Sequence, residues 1–221
     1  MKFLYKFTAL FAWLIFPLSA AEAERYGFLN VVNMIPSATT CEIHLAGKTL
    51  VPSGLKSAAE TGWFMAPIGS QTITINHLEH KKFSSNISVI EGASSLIVIY
   101  LKSSDRMQSD GKPLPPQIRI ASIPAYEFQG FSLKAVSMLP DTNHFQFARE
   151  AIELEFLKVT EIPKWTGGGF QIQHHGKLIG EVTRDRDCAS YTLLISTDHQ
   201  GKYLTTLANA DSQKLPPWMQ K

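Results

Sequence analysis

The residues best suited to chemistry in this chain are histidines. His77-Leu78-Glu79-His80 sets two imidazoles three positions apart with a carboxylate between them. In a loop at a strand end, that spacing can bring both imidazoles onto one cation, with Glu79 nearby. A dedicated site needs three or four ligands in fixed geometry, and the sequence names no third. Solvated loop histidines are therefore the preferred reading of His77 and His80. His174-His175 opens the corresponding loop later in the chain. Neighbours along a strand point to opposite faces, so only one of that pair is expected to join a shared site.

Other chemistries fit less well. Gly167-Gly168-Gly169 is not followed by Gly-Lys-Ser/Thr or by a helical pattern, so it reads as a turn and not as a phosphate loop. No Gly-x-Ser-x-Gly is present. Cys188 lies in Arg184-Asp185-Arg186-Asp187-Cys188, where the aspartates offset the field with which the arginines would activate a thiol. Glu153 and Glu155 share one face of a strand and read as a solvent-facing edge, not as an acid/base pair. Trp63 and Trp165 suit core anchors better than exposed aromatic platforms. Trp218, beside Pro216-Pro217, is the better contact residue. No catalytic residue and no cofactor is expected, and the chain is read as a non-enzyme.

The address comes from the N-terminus. Lys2 and Lys6 precede the apolar run Phe7 to Phe16, and Pro17 and small residues lead to Ala21-Glu22-Ala23. That is a secretory signal peptide cleaved after Ala23, with Ala20 and Ala21 also allowed. The run is shorter than the roughly 17–25 residues of a membrane span. Loss of residues 1–23 takes the net charge from +2 to +1. A chain so close to neutral lacks the basic footprint of a nucleic-acid binder, and Lys81-Lys82 reads as a solvated loop. The expected location is periplasmic or secreted, with no transmembrane segment in the mature chain. An oxidising compartment permits a disulfide between Cys41 and Cys188; two separate buried thiols are the alternative.

The elements that must position these groups read as strands. Phe28-Leu29-Asn30-Val31-Val32-Asn33-Met34-Ile35-Pro36 returns as Phe131-Ser132-Leu133-Lys134-Ala135-Val136-Ser137-Met138-Leu139-Pro140, each an apolar run stopped by a proline. Thr72 to Asn76 alternates with period two, and Leu96 to Leu101 is a near-continuous β-branched run for the centre of a core. The same order follows the second proline: Phe145 to Phe147, Ile152 to Phe156, Trp165 in the place of Trp63, Phe170 to Gln173, Leu178 to Val182, Ser190 to Ser196 and Tyr203 to Leu207. Many short strands with turn signals between them argue for sandwiches.

Asn33 to Ala38, Ala66 to Ile75 and Ile90 to Ile99 resemble the exported bacterial domain-of-unknown-function 4397 family, as do Met138 to Asp141 and Ser190 to Leu194 in the second unit. Ser94-Ser95 and Gly167-Gly168-Gly169 depart from its usual Tyr-Thr and Pro-Ala-Gly. The resemblance implies small transthyretin-like or immunoglobulin-like β-sandwiches without established catalytic residues.

The expectation is thus an all-β protein: a signal peptide (1–23), two tandem immunoglobulin-like or transthyretin-like β-sandwich domains (25–127 and 130–211) and a tail (212–221). Its expected role is that of a non-enzymatic structural or recognition module of the cell envelope, binding a partner protein or surface glycan. The alternative is an envelope metal-binding protein or hydrolase with a histidine site between the domains, built from His77, His80 and one of His174 or His175.

Overall fold

The alternating and β-branched runs fold as strands throughout, and the described residues contain no helix. The computed structural model describes residues 25–103, 108–112, 114–125, 132–163, 165, 169–183, 190–198 and 200–209. Residues 1–24, with the expected signal peptide, fall outside them, as do Gly167, Gly168, Cys188, Trp218, residues 126–131 and residues 210–221.

The first eight strands are β1 (Tyr26–Asn33), β2 (Glu42–Leu45), β3 (Lys48–Thr49), β4 (Phe64–Pro67), β5 (Gly69–His77), β6 (His80–Val89), β7 (Ser94–Lys102) and β8 (Gln117–Ala125). The next eight are β9 (Ser132–Ser137), β10 (Asn143–Phe147), β11 (Glu150–Leu154), β12 (Thr160–Glu161), β13 (Phe170–His174), β14 (Lys177–Val182), β15 (Ser190–Thr197) and β16 (Tyr203–Asn209). They form four sheets of four strands, ordered β4-β1-β7-β8, β3-β2-β5-β6, β12-β9-β15-β16 and β11-β10-β13-β14. Adding eight to each label of the first two orders reproduces the last two. In each half the central pair is parallel, β1 with β7 and β9 with β15.

Why the central strands are apolar on both faces follows from the packing. Leu29, Val31, Ile97 and Ile99 point inward to a first core shared with Ile43, Ile73 and Ile75 of the facing sheet. Leu133, Leu193 and Ile195 do the same toward Phe145, Phe147 and Ile172. The alternate residues Val32, Leu96, Val98 and Tyr100 meet Val136, Met138, Leu194 and Ala208 in a third core that joins the two halves. The molecule is therefore a stack of four sheets with three apolar layers. Each fully buried valine or leucine in the third layer stabilises it by about 1.5–3 kcal/mol relative to exposure. A hydrogen bond from Thr206 Oγ1 to Ala58 O (2.8 Å) also crosses between the halves. Lys134 is buried on β9 opposite Glu161; burial pushes its ammonium down, and the Glu161 carboxylate opposes that.

The two proline-stopped stretches end alike. Asn33 Oδ1 accepts from Ile35 N (3.0 Å), and Ser137 Oγ accepts from Leu139 N (3.2 Å). The next amide continues the parallel pairing in both: Met34 N donates to Ile99 O and Met138 N to Ile195 O. A residue in the left-handed region, Ala58 (φ 59°) or Leu157 (φ 56°), donates its N–H to the Asn33 or Ser137 carbonyl. Short polar side chains that bond the backbone two residues on are a standard way to turn a chain.

Some registers differ from the sequence reading. A hydrogen bond from Ile162 N to Leu133 O (2.8 Å) places Ile162, and not Trp165 or its immediate neighbours, where Phe64 sits against Leu29. The tryptophans are thus not equivalent: Trp63 is buried, whereas Trp165 is half-buried and packs edge-on to Tyr191. Lys81 and Lys82 are not in a loop but on β6, an edge strand. The alternating run expected as a strand over Ile152 to Phe156 forms one over Glu150–Leu154, two residues earlier, with Phe156 only in an isolated bridge to Ser137.

Candidate functional site

His77 and His80 face each other as the last pair of the β5–β6 hairpin, across the two-residue turn Leu78-Glu79. Their ring centroids lie 4.9 Å apart at 36°. One ligand atom from each of His77, Glu79 and His80 falls within 4.8 Å of the others. His77 is buried, His80 half-buried and Glu79 exposed. Burial, reinforced by His80 and opposed by Glu79, pushes the His77 imidazole below its ordinary value, which favours its neutral form.

The loop after β1 holds this turn in place. The Glu79 amide donates to His77 Nδ1 (3.2 Å), which leaves the ring proton on Nε2, 3.1 Å from Thr39 Oγ1. Ser37 Oγ donates to Glu79 Oε1 (3.1 Å), so the 2.9 Å bond between the two hydroxyls runs from Thr39 to Ser37. A continuous relay results: His77 Nε2–H to Thr39, Thr39 to Ser37, Ser37 to Glu79. The sequence reading missed Ser37 and Thr39, whose only signal is that they follow the first proline stop.

His174 and His175 do not join that group. His174 is buried, stacks on Phe145 (4.5 Å, 25°), and bonds the Tyr203 hydroxyl through Nδ1. Its Nε2 has no hydrogen-bond partner among the described residues. His175 occupies the turn with Gly176 at φ 50° and 72°, the left-handed pair of a two-residue hairpin. That turn geometry, unlike an extended strand, lets the two rings approach to 4.1 Å, so the expectation that they point apart does not hold. The histidines of the two halves therefore make two separate arrangements, not one shared cluster.

Burial first, then His175 and His144, pushes the His174 imidazole below its ordinary value of 6.5. The unfolded chain takes up that proton near 6.5 and the folded chain only at lower pH. Stability from a neutral His174 is thus complete above about 6.5 and is lost as pH falls toward the folded value. Calorimetry from pH 7.5 to 5 is expected to show a falling Tm, with a shallower fall in His174→Phe; equal slopes in the two proteins would refute this.

Cys41 is a fully buried free thiol in the first core, and burial pushes it up to about 12, so it is unreactive near neutral pH. Cys188, the other half of the expected pair, lies outside the described residues.

A groove of about 410 Å³ opens beside the first histidine turn. It lies between β6 and β8, the edge strands of the first half's two sheets. Lys81, Lys82 and Arg119 line it together with Phe83 and Pro115-Pro116, and Glu79 and His80 form one end. The Arg119 guanidinium sits 5.9 Å over the Phe83 ring. None of these three cations has a carboxylate partner among the described residues. A second hollow of about 360 Å³ lies between the halves, with Ser37 and Ser57 on one wall and Lys202 and Tyr203 on the other. No helix among the described residues is long and apolar enough to cross a membrane. No family model matches the chain, and no curated protein matches it.

Proposed function

We propose that the chain is a non-enzymatic, exported recognition module of the cell envelope that holds an acidic partner, a carboxylate-bearing surface glycan or an acidic segment of an envelope protein. The observation that carries this reading is the groove between β6 and β8, lined by Lys81, Lys82 and Arg119, none of which has a carboxylate partner among the described residues. Unpaired cations along a concave wall raise the local concentration of anions and speed their capture. Phe83 and the two prolines supply apolar surface beside those charges, the mixture expected of a site that orients a ligand. Lysines on an edge strand also discourage edge-to-edge pairing, so ligand affinity and aggregation have to be read separately.

The same proposal takes residues 1–23 as a cleaved leader, supported by the charged start, the short apolar run and Ala21-Glu22-Ala23. It takes the halves as a tandem pair of immunoglobulin-like or transthyretin-like sandwiches, supported by their matching strand orders and the resemblance of Asn33 to Ala38 and Met138 to Asp141 to the exported family. Intact mass of the exported protein should correspond to a chain starting at Glu24.

Titration with oligogalacturonate and with a poly-glutamate peptide tests the groove. Binding is expected to weaken with salt and to fall by about tenfold or more in Lys81→Glu/Lys82→Glu, since each lost ion contact is worth on the order of 1 kcal/mol. Light scattering of both proteins reports edge pairing independently. No binding of either ligand, or binding that the variant retains, overturns the reading.

A further inference from the structure

We infer that His77, Glu79 and His80 form a divalent-cation site of the zinc type, open to solvent on the side of the groove. This does not rest on the acidic-partner reading, because the cation alone decides it. Three features carry it together.

The first is convergence: two imidazoles and one carboxylate come within 4.8 Å of one another at a single hairpin end. Ligands at about 2.0–2.1 Å from a tetrahedral ion sit about 3.3 Å apart, so closure needs a contraction of about 1.5 Å. Exposed Glu79 and half-exposed His80 can supply it by side-chain rotation.

The second is the state of His77. The Glu79 amide at 3.2 Å and Thr39 Oγ1 at 3.1 Å fit the tautomer with its proton on Nε2. The lone pair on Nδ1 is then available, engaged only in a long hydrogen bond that a cation displaces. A metal-binding histidine ordinarily donates its other ring N–H to an oxygen, and Nε2–H toward Thr39 has that arrangement before any ion arrives.

The third is the relay through Thr39 and Ser37 to Glu79 Oε1. It ties two of the three ligands together through one pair of hydroxyls, leaving Glu79 Oε2 for the ion. Groups that orient ligands in this way typically change metal affinity by about 10–100-fold. Three protein ligands leave a fourth position for water or for an oxygen of a bound molecule. Because Glu79 and His80 also form one end of the groove, an ion there would place a further positive charge beside Lys81 and Lys82.

The test is titration of the purified protein with Zn²⁺ alone by calorimetry, with Co²⁺ as a spectroscopic stand-in. One equivalent of Zn²⁺ is expected to bind with micromolar Kd, and Co²⁺ to give the visible absorption of a low-coordinate site. Glu79→Gln and His80→Ala, on exposed or half-exposed positions that leave the fold intact by circular dichroism, should each weaken binding at least tenfold. Thr39→Val and Ser37→Ala should weaken it by a similar factor although neither touches the ion, and His144→Ala should leave it unchanged. Absence of stoichiometric binding, or binding that survives in both ligand variants, overturns the proposal. Loss in the ligand variants with full retention in Thr39→Val and Ser37→Ala would keep the site and remove the orienting role of the relay.

Discussion

Replacing Leu194 with aspartate is expected to prevent the four-sheet stack from forming. Leu194 is fully buried in the third core, on β15 between β9 and β16, with Val98 and Met34 of the first half in the same cluster. A carboxylate there would stand among the apolar side chains of that cluster. Burying a charge in such surroundings costs several kcal/mol even after relaxation, a large part of the 5–15 kcal/mol that holds a domain folded. Leu194→Ala removes only packing and is expected to cost about 2–5 kcal/mol. Urea unfolding followed by tryptophan fluorescence and by circular dichroism checks both. Because the third core draws on both halves, the wild-type curves from the two probes should coincide in one transition. A Leu194→Asp protein with an unchanged midpoint would show that the halves are stable without that layer.

Asn33→Leu is the second large effect expected. Asn33 is fully buried at the end of β1, where Nδ2 donates to Leu55 O (2.9 Å) and Oδ1 accepts from Ile35 N (3.0 Å). Leucine keeps the volume but leaves the Ile35 amide with no acceptor, whereas Leu55 O still receives Cys41 N at 3.0 Å. One orphaned buried amide together with one lost carbonyl contact amounts to about 2–4 kcal/mol. Asn33→Ser should recover part of the loss, since Ser137 makes the matching bond to Leu139 N in the second half. Denaturant midpoints of the three proteins measure the difference. A leucine variant as stable as wild type would mean that the side-chain bonds at this turn contribute nothing net.

The proline-stopped stretches were legible as strand ends because proline cannot donate to a ladder. How each end is secured was not, since the groups that answer Asn33 lie at Leu55, Ala58 and Ala59, more than twenty positions away. The tryptophans illustrate the opposite failure. Similar spacing in sequence suggested equivalent positions, but the shorter β12 puts Ile162 where Phe64 stands, and a shift of register changes which face a side chain occupies.

The candidate site divides in the same way. His77, Glu79 and His80 are neighbours in sequence, and a two-residue hairpin turn is enough to bring them together. Ser37 and Thr39 reach them only because the chain that leaves β1 passes, just after Pro36, beside the end of the β5–β6 hairpin, a meeting across some forty residues. Arg119 enters the groove with Lys81 and Lys82 only because β6 and β8 are the free edges of two sheets packed face to face.

By itself, then, the sequence determined the all-β class, the principal strands and the clustering of His77, Glu79 and His80 at a strand end, because period-two alternation, β-branched runs and turn residues act within a few positions of one another. The tertiary structure alone decided the parallel pairing of β1 with β7 and of β9 with β15, the third core between the halves, and the separation of His174 from His77. The physical reason is that a strand apolar on both faces states that both will be buried, but carries no mark of which surface will cover either one.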